Sequence, residues 1–140
     1  MSDYTTDDAQ KFFEEKFAPW LHGLNVKVEE IGTKGAVLRM PFGEHLCRDG
    51  GMVCGQAMMS LVDTAMVFAM IGATGRPRPM TTVGQSTNMM RAVTEADVIA
   101  EARVVRLGRT LAFGEVFLRQ DGRDDPAVHA TTTVALLPEK

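Results

Sequence analysis

From Met52 to Ile71 the chain runs without a proline, and apolar residues fall on nearly every side of a 3.6-residue period. Methionine and alanine, abundant there, lose little rotamer freedom in a helix. The segment therefore predicts one long helix, buried all round and stopped by Gly72 and Gly75. Upstream, Leu24 to Ile31 and Ala36 to Phe42 are short apolar-containing runs separated by Gly32-Thr33-Lys34-Gly35, which predicts a hairpin. Beyond Gly75-Arg76-Pro77-Arg78-Pro79, the segments Thr81 to Val83, Asp97 to Leu107, Thr110 to Arg119 and Val128 to Leu137 are rich in Val, Thr and Phe and predict strands. Turns are expected at 93–96, 107–109 and 120–126. At the amino end, Asp7 and Asp8 precede Ala9 to Phe17, and acids there favour a helix N-terminus. A short helix with Phe13 and Phe17 turned inward, ending before Pro19, is expected.

This order of elements predicts an α+β domain, with a mostly antiparallel sheet laid against the long helix. A Rossmann arrangement needs more alternating helices than the pattern offers. The chain reads as an N-terminal extension with a short helix over 1–18 and a single domain over 19–140. At 140 residues it can bury roughly 65–70% of the surface of its unfolded chain, enough for one core.

Charge and cysteine usage narrow the partners. A net charge of -3 argues against a protein built to coat nucleic acid, because such affinity comes from neutralising phosphates. Cys47 and Cys54 lie close together with no His or Cys pair downstream, so neither a disulfide framework nor a zinc site is suggested and no metal is expected. The acidic start, MSDYTTDDAQ, lacks the pattern of a secretory signal, and a cytoplasmic location fits best. Gln56, Ser60, Asp63 and Thr64 interrupt the longest apolar run, so a membrane span is not expected.

Asp63 is the only formally charged residue between Asp49 and Arg76. Gln56, Ser60 and Asp63 follow steps of four and three residues and share one stripe of the predicted helix, with Thr64 beside it. A buried carboxylate there needs a partner or a task. It either moves protons or attacks as a nucleophile, or it pairs with an arginine of the sheet or caps backbone amides and holds an interface. The helix start, Gly51-Met52-Val53-Cys54-Gly55-Gln56, places small residues and free backbone N–H groups at the positive end of the helix dipole. Such a place can hold a developing oxyanion. His22, His45 and His129 are widely spaced and accompany no G-x-S-x-G motif, which argues against a Ser-His-Asp hydrolase.

Gly51-Met52-Val53-Cys54-Gly55-Gln56 followed by Leu61-Val62-Asp63 resembles the G-x-V-H-G-G-x(4)-L-x-D motif of hotdog-fold thioesterases of the phenylacetic-acid-degradation type. Met90-Arg91-Ala92-Val93, with Thr82 ten residues before Ala92, resembles the family's L-R-P-A stretch, and Arg106-Leu107-Gly108-Arg109-Thr110 is similar to its K-x-G-R-T turn. The resemblance implies a hotdog fold, a long central helix wrapped by a curved antiparallel β-sheet. It also implies an acyl-CoA substrate, no cofactor, and self-association as a homodimer or homotetramer with active sites between subunits. By the same resemblance, Asp63 acts as general base or nucleophile and the Gly55 N–H polarises the thioester carbonyl. Thr82 then positions water from the facing subunit.

Three residues depart from the motif: Cys54 stands for its histidine, Gln56 for its second glycine and Arg48 for the usual upstream Asn. The Gln56 amide can donate to the carbonyl in place of the histidine. Arg48 and Cys54 then border the thioester, His45 borders the acyl pocket, and Arg106 and Arg109 are the expected phosphate contacts. A non-catalytic acyl-CoA-binding module on the same fold is the alternative. A dehydratase or hydratase would call for a helix-partnered histidine that the chain does not supply there.

Overall fold

In the computed structural model, residues 3–139 are described; Met1, Ser2 and Lys140, the outermost residues of the two segments read from the sequence, lie outside them. Helix α1 (Thr6–Lys16) begins with a capping box. Thr5 Oγ1 accepts the Asp8 N–H at 3.1 Å and Asp8 Oδ2 accepts the Thr5 N–H at 2.9 Å. The helix buries Ala9 and Phe13, and a 3₁₀ turn (Pro19–Leu24) follows. Phe17, just past α1, stacks on Phe68 with ring centroids 5.5 Å apart. The amino-terminal segment thus shares the core of the rest of the chain.

The hairpin forms from β1 (Lys27–Gly32) and β2 (Gly35–Met40), joined by Thr33 and Lys34. It starts later than the apolar pattern suggests, because Leu24 closes the 3₁₀ turn and Asn25 takes a left-handed conformation, φ 53°. A two-residue ribbon, β3 (Cys47–Arg48) with β4 (Met52–Val53), then leads into α2 (Gly55–Thr74). Four long strands complete the chain: β5 (Met80–Met89), β6 (Val98–Leu107), β7 (Leu111–Gln120) and β8 (Val128–Leu136). The main sheet is antiparallel throughout, in the order β1-β2-β6-β7-β8-β5, with bulges in β1, β5 and β6. Bulges bend the strands that carry them and increase twist.

The sheet wraps α2 through alternating positions. Ala112, Val116 and Leu118 of β7 are fully buried, as are Leu61, Val62, Phe68 and Met70 of α2. Between the buried positions of β7, Phe113, Glu115 and Phe117 point to the outer face. Among the described residues, α2 is the one helix long and apolar enough to cross a membrane, and two thirds of its apolar window (67%) is buried against this sheet.

Gly72 does not end α2. Gly75, at φ 87°, does, and its N–H donates to the Ile71 carbonyl at 2.8 Å. Gly72 has a packing duty instead, since a Cβ on it would lie 2.3 Å from the Gly32 carbonyl oxygen. Helix and hairpin backbones meet there, and neither can yield easily. Gly72→Ala is expected to lower unfolding free energy by about 1–3 kcal/mol, measured as a shift of the urea midpoint at unchanged slope.

On the outer face, Glu115 accepts from Arg103 Nη2 at 2.9 Å and pairs with His129 Nε2 at 2.9 Å. These bonds, His129 first and then Arg103, hold the Glu115 carboxyl below its ordinary value of 4.5. A carboxyl lowered in the folded state contributes stability above its unfolded value and loses it as pH falls through the folded one. Thermal stability should therefore drop as pH descends below about 4.5, and Glu115→Gln should flatten that acid limb relative to wild type.

Candidate active site

The start of α2 is fixed from three sides. The Val53 N–H donates to the Val93 carbonyl at 2.9 Å, the Cys54 N–H to the Leu46 carbonyl at 2.9 Å, and the Glu95 N–H to the Gly51 carbonyl at 3.1 Å. Gly50 and Gly51 make the approach with φ of 83° and 74°, values that glycine alone adopts without strain. Cys54 is the N-cap, extended at φ -74° and ψ 154°, and makes no side-chain capping bond. The first intrahelical bond runs from the Met58 N–H to the Cys54 carbonyl, at 3.1 Å. The amides of Gly55, Gln56 and Ala57 precede it and stand at the positive end of the helix dipole.

Two turns on, Asp63 is exposed, contrary to the buried position its apolar neighbours predict. Leu61, Val62, Thr64, Ala65 and Met66 around it are buried, but Gln56, Met59 and Asp63 form an open stripe, with Ser60 and Val67 half-buried beside them. The sheet and the N-terminal segment, whose Phe12 and Phe17 pack on Phe68, cover the rest of the helix and leave this stripe bare. Thr82 Oγ1, from the neighbouring β5, donates to Asp63 Oδ1 at 2.7 Å. The two therefore meet within one chain, where the resemblance placed Thr82 on the facing subunit. This bond fixes one carboxylate oxygen of a residue that is itself exposed. Ser60 Oγ donates to the Gln56 carbonyl at 2.8 Å, a common helix contact rather than the posture of a nucleophile.

Gly55 and Asp63 are eight positions apart on one helix, which separates them by about 12 Å along its axis. No single carbonyl can touch both in one chain. Met59 stands midway and is 44% exposed. Gln85 of β5 donates from Nε2 to the Met59 carbonyl at 3.3 Å, tying the edge strand to the helix at that level. Nothing in the sequence marks Gln85, because a glutamine on a strand has no spacing signature.

Two clefts flank the helix start. One, of about 350 Å³, is lined by Gly55 and Met58 with Arg48, Met89 and Arg91, so the structure does bring Arg48 beside Gly55. Arg91 Nη1 is hydrogen-bonded to Asp125 Oδ2. The other, of about 300 Å³, is lined by Cys54 and Gln56 with His45, Leu46 and Trp20, joining three of the expected residues to a tryptophan the sequence did not single out. Arg106 and Arg109 are not with them. They lie at the β6–β7 turn, beside the end of the sheet where Met80 pairs with Leu136, whereas Gly55 faces Met89. The length of β5, roughly 30 Å, separates the two ends within one chain.

Sequence and structural likeness place the chain among known proteins. Residues 50–127, more than half of the chain, match the model of the thioesterase superfamily. The chain belongs to that superfamily. A protein of Halobacterium salinarum named as an esterase is 30% identical over 125 residues, covering 83% of this chain and 81% of the relative. A Silicibacter protein named as a thioesterase superposes with a TM-score of 0.87 at 27% identity, over 99% of this chain and 95% of its own. A thioesterase of Haemophilus influenzae, 15% identical, shares the fold with a TM-score of 0.86 over 97% of this chain and 92% of its own. The architecture is the hotdog fold, one long helix in a curved antiparallel sheet. The matched span contains Gly55, Asp63 and Thr82, and membership supports a hydrolase acting on thioesters.

Proposed function

We propose that this thioesterase-superfamily member hydrolyses acyl-CoA thioesters at sites shared between two copies of the chain. The observation that carries the reading is the Asp63–Thr82 hydrogen bond on an open helix stripe, about 12 Å from the uncapped amides at the start of the same helix. A two-fold axis near Met59 would set Gly55 of each copy against the partner's Asp63, bringing donor and carboxylate to one carbonyl. The exposed edge of β5 and the exposed Met59 and Val83 beside it favour such a second copy.

In this arrangement the thioester oxygen lies on the Gly55 N–H, where charge developing on it meets the positive end of α2. Asp63, held by Thr82, takes a proton from water as it adds to the carbonyl carbon, or adds itself and forms an anhydride that water then opens. On either route collapse breaks the C–S bond and expels the coenzyme A thiolate, which takes up a proton; the acid forms in that collapse on the first route and when water opens the anhydride on the second. Gln56 donates where the motif has histidine. Arg48 and Arg91 offer positive charge along the cleft beside Gly55. Antiparallel pairing of β5 with its copy would also carry the partner copy's β6–β7 turn, with Arg106 and Arg109 in its sequence, to the same end. The phenylacetic-acid-degradation motif supports placing the chain in that branch.

The test is thiol release from a panel of aromatic and aliphatic acyl-CoAs, with wild type and Asp63→Asn compared. Acyl-CoA that raises the melting temperature without thiol release from any ester would instead identify a binding module.

A further inference from the structure

We propose that Trp20 limits the length of the acyl group that the enzyme accepts; this rests on the thioesterase reading above. A carbonyl held on the Gly55 N–H has an exit on either side of the helix start. On one side are Arg48 and Arg91, suited to the anionic end of the substrate. The cleft on the other side has no Lys or Arg in its lining. Its floor is Leu24, Leu46 and Ala57, all buried, and Cys54 and Gln56, which flank Gly55, form its near wall. The acyl group therefore belongs on this side.

The far wall is the 3₁₀ turn, and it is anchored. His45 Nε2 pairs with the Gly23 carbonyl at 2.6 Å, and the His45 ring packs so closely on Gly43 that a Cβ there would lie 2.5 Å from Cε1. His45 thus acts as a positioning residue that sets the cleft's width. Trp20 stands on this wall and is 70% exposed, a large indole left in water at the rim of an apolar cleft. A cavity of about 150 Å³ holds benzene. The 300 Å³ available takes a ring on a short tether or a short straight chain. A long fatty chain has to pass the indole.

The test compares kcat/KM for hexanoyl-, phenylacetyl- and palmitoyl-CoA in wild type, Trp20→Ala and Trp20→Phe. Wild type should favour the two compact esters, and Trp20→Ala should raise the palmitoyl-to-hexanoyl ratio about tenfold or more, with Trp20→Phe closer to wild type. An unchanged ratio in Trp20→Ala overturns the proposal, including the case where that variant merely weakens self-association. Trp20 is also the only tryptophan of the chain. A non-hydrolysable hexanoyl-CoA thioether should shift or quench its emission, and saturable binding, followed by calorimetry, with no change in emission overturns the assignment. An emission change in a protein that cleaves no ester upholds the pocket and removes hydrolysis.

Discussion

Asp63→Asn is expected to lower kcat for the proposed acyl-CoA hydrolysis by about 10²–10⁴-fold, the usual worth of a positioned base, and to leave the melting temperature nearly unchanged. Asparagine has the same shape and keeps a carbonyl oxygen for the Thr82 hydroxyl, so the 2.7 Å bond between helix and edge strand survives. Because Asp63 is exposed in the folded chain, no buried charge is removed, and the stability change should stay within about 0.5 kcal/mol. Full turnover in this variant would exclude Asp63 from the chemistry. A collapse of stability would make it a structural residue.

Gly55→Pro is the second large effect, with a loss of about 10²–10³ in kcat if one oxyanion donor is deleted. Proline suits the first position of a helix, where its missing N–H breaks no intrahelical bond. Cys54 already has the extended conformation that a following proline demands, φ -74° and ψ 154°. The nearest side-chain atom to a new Cβ, Met89 Cε, is 3.4 Å away, ordinary contact. The substitution therefore removes the amide hydrogen and little else. Mixing Gly55→Pro chains with Asp63→Asn chains gives the sharper readout. In a shared site, half the pairs are mixed and each has one intact site, so about a quarter of wild-type activity returns. If each chain carried a whole site, mixing would restore none.

The apolar run after Met52 marked the central helix correctly and misjudged its surroundings. Hydropathy registers that Met59 and Val67 are apolar, not whether the chain's own sheet covers them, and here it leaves that stripe open. The helix begins three residues later than the run because Met52 and Val53 pair with Cys47 and Arg48. Strand β5 is far longer than Thr81 to Val83 suggests, since Gly84, Gln85, Ser86 and Asn88 are poor strand formers held in place by pairing with β8. At the candidate site, motif spacing set Gly55 at the start of the helix and Asp63 two turns along it, as the structure has them, and it singled out Thr82 by its distance from Ala92. The contact of Thr82 with Asp63 in the same chain was not legible, nor was Gln85. The positive charge of Arg106 and Arg109 carries no information about which end of a sheet their turn occupies, and within one chain that end is the far one from Gly55. Trp20 lies outside every motif and gains meaning only where the 3₁₀ turn folds back over the start of α2.

The bare edge of β5 has a consequence for how the protein is made. A ten-residue strand whose outer edge pairs with no other strand among the described residues is a template for any extended polypeptide. Val83 and Met89 along it are uncharged and exposed, and the strand has no proline or lysine to discourage a wrong neighbour. On the proposed pairing of two copies, a newly folded chain must meet its own kind before it meets an unfolded one. Recovery of native protein should depend on concentration in two opposing ways: dilution delays correct pairing, and crowding with unfolded chains favours aggregation.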